Sequence, residues 1–327
     1  MTAPPLTLEF HALGQGTRQA LIDDVRAGLG RQPKELPPRW FYDERGSELF
    51  ELITELPEYY QTRTEAAILR QCASDVVQRV QPRSILELGA GASTKTRLLI
   101  EAAHSSGELR WFQPFDVSDA IVQRAARDLL RDFPGLTIHA VIGDFKEHLD
   151  RIPRFGRQLV VFLGSTIGNF FPDERRSFLS AVRQLMGPED AFLLGVDLVK
   201  DPLVLEAAYD DAQGVTAQFN LNVLSVINRE LQADFDLGSF RHVACYDREN
   251  QWIEMHLRSL GNQIVHIPGA GFTAEFKEGE LMRTEISAKF TRQRVDESFA
   301  QAGLRTEAWY TDREERFALA LAVPEER

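Results

Sequence analysis

Cysteine is almost missing from this chain: Cys72 and Cys245 stand far apart, in no CxxC or Cys/His cluster. That excludes a disulfide framework and offers no zinc signature, so both thiols are expected to be buried. Long apolar runs are missing too. Nowhere do about 18 apolar residues follow one another, and the start, MTAPPLTLEFHALGQG, has no basic segment leading into an apolar one. Neither a membrane span nor a secretory leader is expected, and the chain reads as cytoplasmic. Positive charge is in deficit, with 37 Lys and Arg against 49 Asp and Glu and a formal net charge of −12. A duplex nucleic-acid partner demands Lys/Arg stripes that release counterions from phosphate, and none is visible. The seven histidines show no HxxxH or HExxH spacing, so no metal is expected.

What is present is the composition of an ordinary folded protein, 43% hydrophobic and 26% charged. At 327 residues the chain is long for one domain. From residue 64 it alternates amphipathic helices (TEAAILRQCASDVVQRV, TKTRLLIEAAHSS, DAIVQRAARDLLRDF, DERRSFLSAVRQLM) with short apolar runs (SILELGA, LRWFQPFDVS, LTIHAVIGDF, RQLVVFLGST, AFLLGVDLV). That rhythm predicts an α/β doubly wound parallel sheet with helices on both faces. Beyond Lys200 the pattern changes. Residues 201 to 235 read as helices, and FRHVACYD, QWIEMHLRSL, NQIVHIP and MRTEISAKF then read as an antiparallel meander. After a helix in RQRVDESFAQAG, the runs LRTEAWYTD and FALALAVP are expected to complete the first sheet as a hairpin. The organisation expected is a first domain from residues 64–197 and 289–327 and a second, discontinuous α+β domain from residues 1–63 and 198–288.

The segment ILELGAGAST puts Gly89 and Gly91 where the first strand turns into a helix, so backbone N–H groups can approach a ligand. Thr94 stands where a dinucleotide fingerprint needs its third glycine, which weakens a nicotinamide oxidoreductase reading. Glu87 precedes the glycines, Asp116 ends the second strand at a ribose-binding position, and Asp144 with Phe145 ends the third. This succession is the pattern of Rossmann-like S-adenosylmethionine (SAM) methyltransferases. A protein that only senses SAM would share it, and a methyl-transfer assay over free amino acids separates the two.

One stretch, YDERGSELFELITELPEYYQTRTE, sets Leu49, Phe50, Leu52, Ile53 and Leu56 at helical spacing but crowds tyrosine, arginine and glycine at the helix ends. Together with LELGAGASTKTRLLI, FLGSTIGNF, GVDLVKD, AAYDDAQGVTAQFNLN and RTEISAKF, it closely resembles the L-histidine Nα-methyltransferases of ergothioneine biosynthesis. Related tryptophan methyltransferases share much of the pattern. The resemblance covers nearly the whole chain. It implies a SAM-binding domain, a second domain that binds the amino acid, and no metal. It further implies a small-molecule substrate and, as an expectation, a monomer without nucleic-acid or membrane partner. Carried over residue by residue, Gly89, Gly91, Lys95, Asp116, Asp144 and Phe145 match SAM-binding positions. Tyr42 and Tyr59 look like residues that close over the substrate. Asn169 and Tyr209 match those holding the carboxylate and amino end, with Gly164, Thr166, Thr216 and Met255 lining the pocket and Glu285 with Ser287 reading the imidazole. The activity implied is methyl transfer from SAM to the α-amine of L-histidine, repeated up to the trimethylated betaine; tryptophan or another aromatic amino acid is the alternative acceptor.

Some of these residues have a structural reading beside the functional one. Met255 shares an apolar strand face with Ile253 and Leu257, and Tyr209 sits on an amphipathic helix. In MRTEISAKF the strand period predicts Arg283, Glu285, Ser287 and Lys289 on one face, solvated or ligand-facing.

Overall fold

The structure is a computed structural model that describes residues 5–11, 17–143 and 148–325. In chain order the elements are β1 (Leu6–Phe10), α1 (Thr17–Leu29), β2 (Lys34–Glu35), α2 (Glu44–Glu55), α3 (Gln61–Val80), β3 (Ser84–Leu88), α4 (Thr96–Ser105), β4 (Trp111–Asp116) and α5 (Asp119–Asp132). Next come β5 (Thr137–Ile142), β6 (Gln158–Phe162), α6 (Pro172–Leu185), β7 (Ala191–Asp197), α7 (Pro202–Ala207) and α8 (Val215–Leu231). The chain continues through β8 (Phe240–Asp247), β9 (Trp252–Ser259), β10 (Gln263–Ile267), β11 (Phe272–Phe276) and β12 (Leu281–Ala288), and ends with α9 (Arg292–Gln301), β13 (Leu304–Thr311) and β14 (Phe317–Pro324). They divide into two compact units: Met1–Leu13, Arg63–Leu198 and Phe290–Arg327, and Gly14–Thr62 with Val199–Lys289.

The first unit is an eight-stranded sheet in the order β1-β5-β4-β3-β6-β7-β14-β13. Its first six strands are parallel, and the β13–β14 hairpin adds antiparallel to β7. Strands β3, β6 and β7 are buried along their whole length, which is why they read as continuous apolar runs. Their side chains alternate between two helical layers. Leu159, Val161 and Leu193 join Ile68, Leu99, Ile100 and Val122 of α3, α4 and α5 in one core. Phe162 packs on Phe178 of α6 at 4.6 Å between ring centres, and Phe192 on Phe299 of α9 at 6.2 Å. Each fully buried side chain of this kind contributes about 1.5–3 kcal/mol.

One boundary differs from the sequence expectation. Residues of β1, assigned by the sequence to the second domain, belong to the first unit, where Leu6 pairs in parallel with Ile138 and Leu6 and Leu8 pack on the core. A five-residue edge strand has no local cue to its partner, because that partner lies on the far side of five α-helices in sequence.

The second unit surrounds α8, which buries Phe219, Val223, Leu224 and Ile227 among Leu21, Val25, Phe41, Leu49, Ile53, Leu257 and Met282. Its main sheet has the order β2-β12-β9-β8. The expected meander is therefore broken. β12 pairs with β9, while β10 turns at Pro268–Ala270 and pairs with β11 as a separate two-stranded sheet. The run FTAEF of β11 is short and follows a turn signal, so the sequence showed a break where the chain makes a hairpin. Among the described residues no helix is long and apolar enough to cross a membrane.

Candidate active site

In the first unit, β3 stands between β4 on one side and β6 on the other, so the loops leaving the C-terminal ends of β3 and β6 diverge and leave a crevice. Gly89 and Gly91 occupy left-handed conformations, φ +69° and +49°, which glycine adopts without Cβ strain. A Cβ built on Gly91 would meet nothing within 4 Å, so the loop borders open space. Asp116, the last residue of β4, organises this loop. Gly91 N donates to its Oδ2 at 2.9 Å and Ser118 N to its Oδ1 at 2.9 Å. Each carboxylate oxygen keeps a further lone pair for a ligand hydroxyl.

Glu87 is buried beneath the same loop. The Thr96 hydroxyl donates to its Oε1, while Oε2 is buried without a protein partner. Burial lifts its pKa to about 7, against the lowering pull of Thr96, Ser93 and Lys95. Lys95 just precedes α4 and donates to Glu65, a fully buried carboxylate early in α3. Sequence reasoning passed over Glu65, since a single acid near the start of an amphipathic helix signals only the helix.

The loop after β6 is a tight turn. Gly164 and Ser165 have φ of +77° and +57°, and a 3-10 turn spans Thr166–Asn169. Thr166 Oγ1 donates to Leu163 O at 3.0 Å, Gly168 N to Ser165 O at 2.8 Å, and Asp197 N to Ser165 Oγ at 2.9 Å. Gly164, Thr166 and Asn169 thus share one short segment at a strand end. Asp144 and Phe145 lie outside the described residues.

The second unit gathers the other expected residues. Tyr209, just after α7, shares a 2.7 Å hydrogen bond with Ser287 Oγ, and the fully buried Lys289 donates to both, at 3.0 Å and 2.9 Å. The Lys289 ammonium also lies 4.6 Å from the centre of the Tyr209 ring. His242 Nε2 lies 2.7 Å from Tyr209 O, and Asn220 Nδ2 lies 2.8 Å from its Nδ1. With the amide donating to Nδ1, His242 is neutral and holds the Tyr209 carbonyl; burial lowers its pKa in the same sense. Tyr59 stacks edge-on between Phe50 and Tyr209, at 6.3 Å and 6.4 Å. Tyr42 contacts the rings of Phe50 and Phe219. Tyr42 is 45% exposed, and desolvation, with the charges of Glu285 and Tyr209, raises its pKa. Thr216 is buried in the first turn of α8, its N–H donating to Asp211.

Strict alternation along β12 does not hold. A β-bulge lies between Arg283 and Glu285, so that Arg283 pairs with His256 but Glu285 pairs with the next residue back, Met255. Arg283 therefore faces Glu254 and Glu35 on one side of the sheet. Glu285 and Ser287 share the other side with Met255 and Ile253, in the core. This apolar setting raises the Glu285 pKa to about 7, with Lys289 pulling it down.

The crowded ends of α2 are partly structural. Asp43 caps the helix by accepting from Gly46 N at 2.8 Å, and it also accepts from Asn222 and Arg229 of α8. A Cβ on Gly46 would fall 1.6 Å from Phe41 O, so no other residue fits there. Of the two cysteines Cys72 is buried, whereas Cys245 is only half-buried. Cys245, Glu254 and His256, separated in sequence, offer ligand atoms within 4.8 Å of one another on paired strands, a grouping that motif spacing could not reveal. Glu254 already accepts there from Trp252 and Arg283, and its other oxygen lies 3.2 Å from His256 Nε2.

Comparison with known proteins bears on this geometry. A family model described as histidine-specific methyltransferase, SAM-dependent, matches residues 21–324. The chain is 52% identical over 304 residues to the histidine N-alpha-methyltransferase of Mycobacterium tuberculosis (strain CDC 1551 / Oshkosh), covering 93% of this chain and 95% of that protein. The enzyme of that name from Mycolicibacterium smegmatis is 49% identical over 318 residues, 97% of this chain and 99% of the relative. Ergothioneine biosynthesis protein 1 of Neurospora crassa is 29% identical over 297 residues, 85% of this chain but 32% of that longer protein. A match that runs from α1 into β14, through both units, makes this chain a member of the histidine-specific, SAM-dependent methyltransferase family.

Proposed function

We propose that this protein transfers methyl groups from SAM to the α-amino group of L-histidine, up to Nα,Nα,Nα-trimethylhistidine (hercynine), in ergothioneine biosynthesis. The observation that carries the reading is near-complete coverage, at about half identity, of two relatives named for that activity. The crevice of the first unit fits the cofactor. It has an open glycine cradle at Gly91, an ordered carboxylate at Asp116 for ribose hydroxyls, an ammonium at Lys95 for the cofactor's carboxylate, and an orphaned buried oxygen on Glu87. Asp144 and Phe145 are assigned the adenine end.

When bound, SAM supplies a methyl group already activated on a sulfonium. The protein's part is then alignment and exclusion of water. An ammonium has no lone pair, so the amine must lose a proton before each transfer. In this reading Asn169 and Tyr209 hold the amino acid's carboxylate and amine, Gly164, Thr166, Thr216 and Met255 shape the space around it, and Tyr42 and Tyr59 cover it. Glu285 and Ser287, on one strand face and two residues apart, recognise the imidazole edge. A buried carboxyl without a ring N–H to meet disfavours phenylalanine, and a pocket shaped for an imidazole disfavours the larger indole of tryptophan.

The test is kcat/KM for histidine, tryptophan and phenylalanine in the wild type and in Glu285→Ala. Losing a hydrogen bond to a charged group costs about 1.5–3 kcal/mol, so histidine should fall roughly tenfold to 150-fold while the other two fall less. An equal fall for all three would show that Glu285 supports the fold rather than the choice of side chain, and no turnover of histidine by the wild type would end the reading.

A further inference from the structure

Glu65 of the first unit is a charged group whose contacts the mechanism leaves unused. Glu65 is fully buried, and its carboxylate reaches two separate loops. Lys95, after the glycine loop of β3, donates to Oε2. Gly164 N, at the start of the turn after β6, donates to Oε1 at 2.9 Å and to Oε2 at 3.0 Å. The sheet makes room for this: a Cβ at Gly195 of β7 would lie 2.0 Å from Glu65 Oε1, so the carboxylate presses on the strand where only glycine stands. A carboxylate taken out of water is costly unless its oxygens are matched, and here an ammonium and a peptide N–H match them. The same groups lie close together, since a Cβ built at Gly164 would fall 3.4 Å from Lys95 Nζ.

We infer that Glu65 is a positioning residue that couples the loop carrying Lys95 to the loop carrying Gly164, Thr166 and Asn169, so that binding of the methyl donor and of the amino acid are energetically linked through it. This rests on the proposed assignment of those two loops to SAM and to histidine. The physical chain is short. An anionic group drawn to Lys95 competes with Glu65 for the ammonium, and any shift of the Glu65 carboxylate moves its other partner, the Gly164 amide. That amide begins a turn closed by the Thr166 and Gly168 hydrogen bonds, so the turn responds as a piece. Linkage makes the effect reciprocal.

Calorimetry with S-adenosylhomocysteine and L-histidine tests it in the full-length wild type, Glu65→Gln and Glu65→Asp, the last keeping the charge but lacking the reach. In the wild type each ligand should change the other's Kd by at least about fivefold. Both variants should bring that factor below about twofold while still binding each ligand. A wild-type factor below twofold, or variants that keep the wild-type factor, would overturn the inference. Amide hydrogen exchange on the ligand-free chain provides the arm that is independent of substrate: Lys95→Met should speed exchange at Gly164, in the other loop. Unchanged exchange there breaks the tie whatever the ligands do, whereas faster exchange together with no histidine binding in the wild type would leave the tie standing and sink the substrate assignment instead.

Discussion

The two sets of groups that carry the candidate chemistry are built by different means. In the first unit the glycine loop and Asp116 form a site out of backbone, with Gly91 N and Ser118 N on one carboxylate at the end of a strand. In the second unit Tyr209, Ser287 and Lys289 form a cluster out of side chains from two distant stretches, and no backbone group takes part in its three hydrogen bonds. The contrast is instructive. A backbone site is made by a conformation that a few neighbouring residues specify, so it tolerates changes elsewhere and fails when its organising acid is lost. A side-chain cluster has no such local origin; it depends on the bulge in β12 that turns Glu285 and Ser287 to the core face.

The sharpest way to break this comparison is Asp116→Ala. Two charge-assisted hydrogen bonds to a ribose, at about 1.5–3 kcal/mol each, together amount to about 3–6 kcal/mol. The loss should be no smaller than that, because Gly91 N and Ser118 N lose their acceptor as well. SAM affinity measured by calorimetry should fall at least a hundredfold. A Kd within threefold of the wild type would mean that the loop is not a cofactor site.

Glu87→Gln probes the same loop through stability and should act in the opposite direction. A carboxyl lifted from 4.5 in the unfolded chain to about 7 in the folded one corresponds to about 3 kcal/mol between its protonation states. Between those two pH values the native protein holds more protons than the unfolded one. Wild-type stability therefore declines across that window relative to glutamine, which does not titrate, and the full penalty is present above pH 7. Urea unfolding at pH 4 and pH 8 should show the variant gaining about 3 kcal/mol on the wild type over that interval. A stability difference that is the same at both pH values would place Glu87 in contact with water.

The smallest effect belongs to the side-chain cluster. Tyr209→Phe removes one acceptor from the buried Lys289, a cost of about 1–3 kcal/mol. If the cluster acts as a network, Tyr209→Phe and Ser287→Ala will be non-additive, with a coupling of about 0.5–3 kcal/mol in a double-mutant cycle. Additive losses would reduce it to two independent contacts.

The legibility of the molecule follows the same division. Strands β3, β6 and β7 were visible because each is buried along its whole length and is therefore largely apolar, and the glycine loop because Gly89 and Gly91 sit at a strand end. The pairing of β1 with β5, the β10–β11 hairpin and the side of β12 on which Arg283 lies were not visible, since each is decided by a partner strand. Glu65 was hidden for a related reason: nothing near it in sequence reveals that Lys95 and Gly164 converge on its two oxygens.

By itself, then, the sequence determined the alternation of elements, the glycine loop and the family, because hydrophobic period, glycine position and long local blocks are properties of neighbouring residues. The tertiary structure alone decided which polar groups meet: Glu65 with Lys95 and Gly164 N, Tyr209 with Ser287 and Lys289, Asp43 with Asn222 and Arg229. A buried charge or hydroxyl must find its partner in space, and that partner is chosen by which strands and helices pack together, not by distance along the chain.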